Sequence, residues 1–547
     1  MPNQTYTALT IGPIYQTITE AKRSRAKWAA SYFFSWFVKR VLQEAKKEEN
    51  SIKVLIPHTG DYETSYGSGL YADRLYFIGT VKDKINEIVK EVTTEIADDI
   101  KKNTEQPNVL DFLNQYLNIH ILEINLSNYE FGKDEFALSV INQKLDQIEL
   151  HQNMPFEYEI NPLQEYFLSR TEEGTILSID AFPETKRYFP SLAEISTRTL
   201  KRLEVLKNLT NESPKYDEIV WQSFINKKDD IQIIEEFIKN QNYNLLPHHK
   251  YYAIMYADGD NIGKLLAALN RLDTNKELQE FSKQLFEFGV KTDETIYNYG
   301  GNGIFLGGED ILAFLPMACV DKAGETTKTI FQLITKIDEN WKATVQKVAE
   351  DFNKEATDNN KISIPTLSYG IQIAYHKYPL KEAMSAAYQL MEKAKNKYPC
   401  KNTIGISFRK HSGQSMEAFI EKSKNCSYHE IQNFIAHKCR ELQYDNTTEN
   451  NTEKSTNERL LSGIMHRLKD STFQILLQQS IKNQSLDAFF ENSFNEKIHI
   501  ENSNFMNEVK TLLHKIFNDY SGKHPFKIAY FTLRLTHFIN AKTETDA

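Results

Sequence analysis

At ~150 residues per domain, a chain of 547 residues is long enough for three or four domains. Its 65 Lys+Arg against 74 Asp+Glu leave a net charge of −9, which excludes a wholesale basic coat for nucleic acid but not a local basic groove. Hydrophobic residues at 40% and charged residues at 25%, with no apolar run near the ~18 residues of a membrane helix, exclude a mainly disordered chain and a membrane protein.

Tyr6 to Ile11 alternates like a short strand, and Gly12-Pro13 breaks it. The N-terminal segment has no basic stretch before its apolar part, so no signal peptide is expected. From Tyr15 to about Leu42 the period is helical. Lys53 to Pro57 and Arg74 to Thr80 read as strands around a Gly-rich loop, Lys82 to Lys102 as a long amphipathic helix, and Ile119 to Leu126 as another strand. The order β-α-β-β-α-β predicts a ferredoxin-like unit. Residues 151–245 are charge-rich and mostly helical in pattern, and read as an interdomain region.

The pattern then resets. Tyr251 to Tyr256 is an apolar strand, Asp258 to Asn261 a turn, and Ile262 to Leu272 a helix. Gly303 to Leu306 and Ile311 to Leu315 are short strands around Gly307-Gly308-Glu309-Asp310. A helix follows from Lys322 to Asn353, a strand from Thr366 to Tyr375, a helix from Leu380 to Lys397 and a strand from Thr403 to Phe408. After residue 411 no strand is expected, and 444–458 is polar enough to read as a mobile loop. The predicted fold class is α+β. Two ferredoxin-like domains, over 1–150 and 246–412, are accompanied by a helical interdomain region and a helical C-terminal domain over 413–547. The first copy carries Gly12-Pro13 where the second carries two aspartates, so the first reads as degenerate and the second as the working copy.

In the second copy, the strand from Tyr251 delivers Asp258 and Asp260, and the Gly-Gly hairpin presents Glu309 and Asp310. In a β-α-β-β arrangement these carboxylates meet at one sheet edge, where their repulsion calls for a cation. All-oxygen ligation suits Mg²⁺ or Mn²⁺, and two such ions are the machinery of nucleotidyl transfer. Asp258, Asp260, Glu309 and Asp310 are the candidate catalytic residues, with Asp258, Glu309 and Asp310 as metal ligands. Gly259, Asn261, Gly307 and Gly308 are candidate nucleotide-binding positions. At the end of the helix Leu380 to Lys397, Lys395 is the candidate phosphate-binding lysine, ahead of Lys393 and Lys264.

At these residues the chain resembles a known family. YYAIMYADGDNIGKLL and GGEDILAFLP are similar to the cyclase/polymerase palm of the large subunit of type III CRISPR effector complexes. TIGPIYQTITEAKRSRAKWAASYFFSWF, GLYADRLYF and FPSLAEIS resemble its type III-B (Cmr) branch, and SFRKHSG extends the likeness to about Gly413. The resemblance implies two palm, or nucleotide-cyclase-like, domains in a cytoplasmic complex of several subunits with guide RNA and target RNA. Its second palm would convert ATP into a nucleotide second messenger, cyclic oligoadenylate by default or an adenylyl conjugate of another metabolite. There are three departures from the family's pattern. Glu309 stands where Asp is commoner, which leaves the product open. No His-Asp doublet precedes the first palm pattern, so DNA cleavage is not expected. No cysteine precedes Cys319, so the family's four-cysteine zinc site is not expected. A non-catalytic scaffold subunit and a free-standing cyclase are the alternatives.

Two other features stand out. Cys426, His429, His437 and Cys439 have ligand chemistry suited to zinc, on a segment whose helical reading would separate them. Lys22, Arg23, Arg25 and Lys27, interleaved with Trp28, read as a solvated helix face or a contact with RNA or a partner subunit. His248-His249 reads as a polar lead-in to the strand rather than as ligands.

Overall fold

The computed structural model describes residues 4–48, 51–64, 66–104, 106–132, 135–150, 161–168, 175–177, 189–202, 235, 245–270, 276–320, 327–398, 401–439, 456–493, 503–521 and 524–541. Most of the region expected to be helical over 151–245, and residues 444–455 of the expected loop, lie outside these. The last residues of that loop instead open the helix Thr456–Arg467. Among the described residues no helix is long and apolar enough to cross a membrane.

The fold is α+β, and its two main sheets share one topology. The first contains β1 (Thr5–Gly12), β2 (Lys53–Ile56), β3 (Arg74–Ile78) and β4 (Asn118–Asn125) in the order β2-β3-β1-β4, all neighbours antiparallel. The second contains β5 (Tyr251–Asp260), β6 (Asn302–Phe305), β7 (Ile311–Pro316), β10 (Thr366–Tyr375), β11 (Thr403–Arg409) and β12 (Ser415–Glu421). Its order is β12-β11-β10-β5-β7-β6, so the four strands β6-β7-β5-β10 at one end repeat the first sheet's arrangement, with β11 and β12 added beyond β10. The short strands β8 (Ala318–Val320) and β9 (Thr327–Thr329) form a separate ribbon. In both units a short helix and then a 24-residue helix follow the first strand: Ile14–Glu20 and Ser24–Lys47, then Ile262–Asn270 and Lys276–Tyr299.

Four expectations are corrected. The single helix from Tyr15 to Leu42 is two helices, because the buried Lys27 ammonium donates to the carbonyls of Ile18 (2.7 Å) and Thr19 (3.4 Å) and closes the first. The helix Lys276–Tyr299 was not anticipated. The helix expected from Lys322 starts only at Ile330, after β9, where the Thr329 N–H donates to Gln332. The chain beyond 411 is not purely helical, since β12 pairs with β11 from Thr403↔Glu421 to Arg409↔Ser415.

The two units exchange supports. Helix Ser24–Lys47 packs on β6 and helix Lys276–Tyr299 on β2. The loop after β2 reaches the second sheet, where the Leu306 N–H donates to the Gly69 carbonyl at 2.8 Å and Ser31 Oγ to the Ile304 carbonyl at 3.0 Å. Beneath this loop, Asp293 accepts hydrogen bonds from Ser68 Oγ and from the Tyr66 N–H at 3.2 Å. Burial pushes its carboxyl up to about 7. A carboxyl raised in the folded state stabilises the protein while protonated, and that stability is lost as pH rises from the unfolded value near 4 through 7. Thermal melts between pH 5 and 8 are therefore expected to fall more steeply for the wild type than for Asp293→Asn. Equal slopes would show that Asp293 does not titrate in this range.

Candidate active site

β5 is the strand that positions the site, because it is central and its two neighbours end at different places. It pairs with β7 from Tyr252↔Pro316 to Ala257↔Ile311, so Asp258 emerges one position beyond that ladder, opposite Asp310. The hairpin between β6 and β7 closes with the Asp310 N–H donating to the Gly307 carbonyl at 3.2 Å, and Gly308 takes the left-handed conformation at φ 65°. Asp258, Glu309 and Asp310 thus meet at one sheet edge.

Gly259 acts sterically. A Cβ there would lie 2.7 Å from Ile262 and 2.8 Å from the Glu309 Cβ, so only glycine lets the hairpin close on the end of β5. Asn261 ends the strand at φ 64°, and its carbonyl accepts from the N–H groups of Lys264 and Leu265 at the start of the next helix. The strand itself runs through Asp260, past where the sequence predicts a turn.

The structure gives the two aspartates different surroundings. Asp260 is 0% exposed. It accepts from Thr366 Oγ1 (2.7 Å), Ser368 Oγ (2.9 Å) and the Asn402 N–H (2.9 Å), so it ties β5 to β10 and to the turn at Lys401-Asn402. Asp258 is open to the cleft and pairs with Lys395, Nζ to Oδ2 at 2.5 Å. Lys393 instead approaches Glu417 at 3.7 Å, and Lys264 is exposed.

Burial raises the Asp258 carboxyl above its ordinary range, against the opposing pull of Lys395. It raises Glu309 as well, reinforced by Asp258. Asp310 is exposed, yet the surrounding protein, then Glu309 and Asp258, push it well above the usual carboxylate range. The same causes hold Lys395 charged: its carboxylate partners outweigh its burial. Among the described residues no group of three or more His, Cys, Asp or Glu is arranged to hold a metal ion. The donor chemistry nonetheless fits a hard divalent cation. All three carboxylates are raised, first by burial and then by neighbouring acids, and Asp258 is paired with a lysine.

The edge opens on a cleft of about 970 Å³ between the two units. Its second-unit wall includes Asp258, Gly307, Gly308, Glu309 and Asp310, and its first-unit wall includes Thr10, Gly12, Asp73 and Arg74. Sequence reasoning passed over Asp73. It precedes β3 as Asp310 precedes β7, and it feels Asp310 across the cleft. The alignable signal was an acid directly before the third strand of each unit.

The other candidates resolve differently. Arg25 and Lys27 are buried, so they are neither a solvated face nor an open contact surface, while Lys22 is exposed and Arg23 half-buried. Trp28 is buried too, donating to the Gly67 carbonyl at 2.8 Å. His248 and His249 are buried in a short turn, and desolvation lowers His248 to about 4. Cys426, His429, His437 and Cys439 lie on one helix, Asn425–Cys439.

Comparison with known proteins agrees with this architecture. Residues 251–405 match the family model "Cas10/Cmr2, second palm domain", and residues 6–107 match "CRISPR-associated protein Cmr2, N-terminal". The Cmr subunit Cmr2 of Pyrococcus furiosus is 28% identical over 240 residues, covering 38% of this chain and 25% of that protein. The chain thus matches only a quarter of its curated relative's length. Among solved structures, a type III-B Cmr-beta complex in its apo state aligns with a TM-score of 0.46 at 12% identity, over 76% of this chain and 70% of that one. A Csm1–Csm4 cassette in complex with pppApA aligns with a TM-score of 0.47 at 12% identity, over 94% and 69%. In chain order the protein thus has one stretch similar to the Cmr2 N-terminal domain and one similar to the Cas10/Cmr2 second palm domain, so the likeness is to Cmr2 subunits of CRISPR systems.

Proposed function

We propose that this chain is an ATP-using nucleotidyltransferase, acting as the large subunit of an RNA-guided type III-B effector in the cytoplasm with other subunits, guide RNA and target RNA. The observation that carries the reading is the register of β5 against β7, which brings Asp258 beside Glu309 and Asp310 on a cleft large enough for nucleotides. Asp258, Glu309 and Asp310 would hold Mg²⁺ or Mn²⁺, two ions in the working site. Bound there, the ions supply activation of an attacking hydroxyl and neutralisation of charge on the α-phosphate and pyrophosphate.

The chain's own residues do the rest. Lys395 leaves Asp258 for the negatively charged phosphates, a point charge moving between two anionic partners. Gly307 and Gly308 shape the hairpin that faces the nucleotide. Asp260 holds β5 against β10 so that Asp258 keeps its place. The product is a nucleotide second messenger, cyclic oligoadenylate by default or an adenylyl conjugate of another metabolite.

The scaffold alternative draws on the same ion pair, since Lys395 already neutralises Asp258 without a metal. The deciding experiment is mass spectrometry of products made from ATP by the reconstituted complex with target RNA. ATP-derived oligonucleotide or conjugate is expected with Mg²⁺ or Mn²⁺ and is lost with EDTA. No product with either metal, even with candidate acceptor metabolites supplied, would favour the scaffold. Product that survives exhaustive chelation would remove the metal-dependent mechanism.

A further inference from the structure

The carboxylate centre occupies one part of the cleft. Two tyrosines stand open elsewhere on its walls, one from each unit. Tyr15, on helix Ile14–Glu20, is 63% exposed, and Tyr388, on helix Leu380–Lys397, is 39% exposed. Both line the cleft together with Asp258 and Asp310. Their ring centroids lie 6.3 Å apart with planes tilted by 52°. Tyr388 is held in place from behind by Tyr256, edge to face at 5.7 Å.

The helix relates this pair to the reactive edge. Tyr388, Met391, Glu392 and Lys395 recur at helical spacing, and Lys395 is the residue on Asp258. At 1.5 Å per residue, Tyr388 stands about 10 Å from Lys395 along the axis. That is comparable with the reach of a nucleotide from its phosphates to its base. Large aromatic rings left in water beside a charged centre offer flat apolar faces, and stacking on such rings is how proteins hold bases without reading their edges.

We propose that Tyr15 and Tyr388 form a stacking platform for the nucleobase of the nucleotide held at the carboxylate edge. The inference rests on the nucleotidyl-transfer reading and deepens it. The first unit, which lacks the paired aspartates of the second, then supplies one side of the substrate site. The platform exists only because the two units are docked.

The test uses the reconstituted complex with target RNA. ATP affinity is measured by competition against a fluorescent ATP analogue, with inorganic tripolyphosphate as a competitor that has phosphates and no base. Tyr15→Ala and Tyr388→Ala are expected to weaken ATP on the order of tenfold each, with tripolyphosphate unchanged. Tyr15→Phe and Tyr388→Phe keep the ring and are expected to bind ATP like the wild type. Alanine variants that bind ATP normally overturn the platform. Equal weakening of tripolyphosphate overturns it too, by showing a general distortion. Loss of complex assembly by Tyr15→Ala, with ATP affinity kept, would assign that ring to a partner subunit and overturn the platform. A wild-type complex that binds no ATP would sink the nucleotidyl-transfer reading itself, and the platform with it. Normal ATP binding by wild type and alanine variants alike sinks the platform alone.

Discussion

Replacing Glu309 and Asp310 together by alanine is expected to abolish ATP-derived product while complex assembly and RNA binding persist. The two carboxylates sit at a hairpin whose shape is set by Gly307, Gly308 and the Gly259 contact, not by their charge. Alanine keeps the Cβ of residue 309 against Gly259, so the hairpin still closes. Burial and neighbouring carboxylates, Asp258 for both and Glu309 for Asp310, raise the two acids, so their removal relieves strain in the absence of metal. The melting temperature is expected to stay level or rise slightly. The chemistry, by contrast, loses ligands for the charge that develops at the α-phosphate. Such stabilisation contributes several kcal/mol, and each ~1.4 kcal/mol is a factor of ten in rate. A loss of roughly a thousandfold or more is therefore expected, and Asp258→Ala should match it from the neighbouring strand. An assembled double variant that turns over ATP within tenfold of the wild type would remove these residues from the site.

The opposite signature is expected for Asp260→Ala: a large loss of stability that precedes any effect on catalysis. Asp260 is fully buried and accepts from Thr366, Ser368 and the Asn402 N–H. Alanine leaves three donors facing each other with no acceptor. Each buried unsatisfied group costs roughly 1–3 kcal/mol, so a loss of about 3–5 kcal/mol is expected. For a domain of this size that lowers Tm on the order of 10 °C. The turn at Lys401 and Asn402, both with positive φ, loses its anchor in the same step. Asp260→Asn keeps one oxygen and should recover part of the loss. Calorimetry of Asp258→Ala beside Asp260→Ala separates the two roles. An Asp260→Ala protein that melts with the wild type would show that the carboxylate anchors nothing.

The difference between those two aspartates was invisible in the motif. Both sit in YADGDN, two residues apart on one strand, and the sequence offers no reason to treat them differently. Their fates depend on β10, more than a hundred residues away, which places Thr366 and Ser368 opposite Asp260 and Asp258. The same holds for Arg25 and Lys27. A run of cations beside a tryptophan reads as surface, yet the chain turns back over it and uses Lys27 to close the preceding helix.

Local physics determined much of this protein without any help from tertiary context. The continuous apolar run from Tyr251 and the helical period from Leu380 placed those elements within a few residues, because the strand is buried along both faces and the helix along one. The glycines and acids of GGED read correctly as a tight hairpin, since positive φ at Gly308 is a local requirement. The repeated strand-helix order foretold that the chain holds one architecture twice. Tertiary structure alone decided the rest. In helix Lys276–Tyr299, which was missed, Ser282, Gly289, Thr292 and Asp293 interrupt the apolar residues of the inward face. Those residues meet the other unit: a Cβ at Gly289 would lie 2.9 Å from Leu70, and Asp293 holds Ser68. β12 exists as a strand because β11 offers it an edge, which is a property of the partner and not of SMEAFIE. The cleft, Asp73 across from Asp310, and the meeting of Tyr15 with Tyr388 all arise from docking two units, where contacts form between residues whose sequence separation carries no periodic signal.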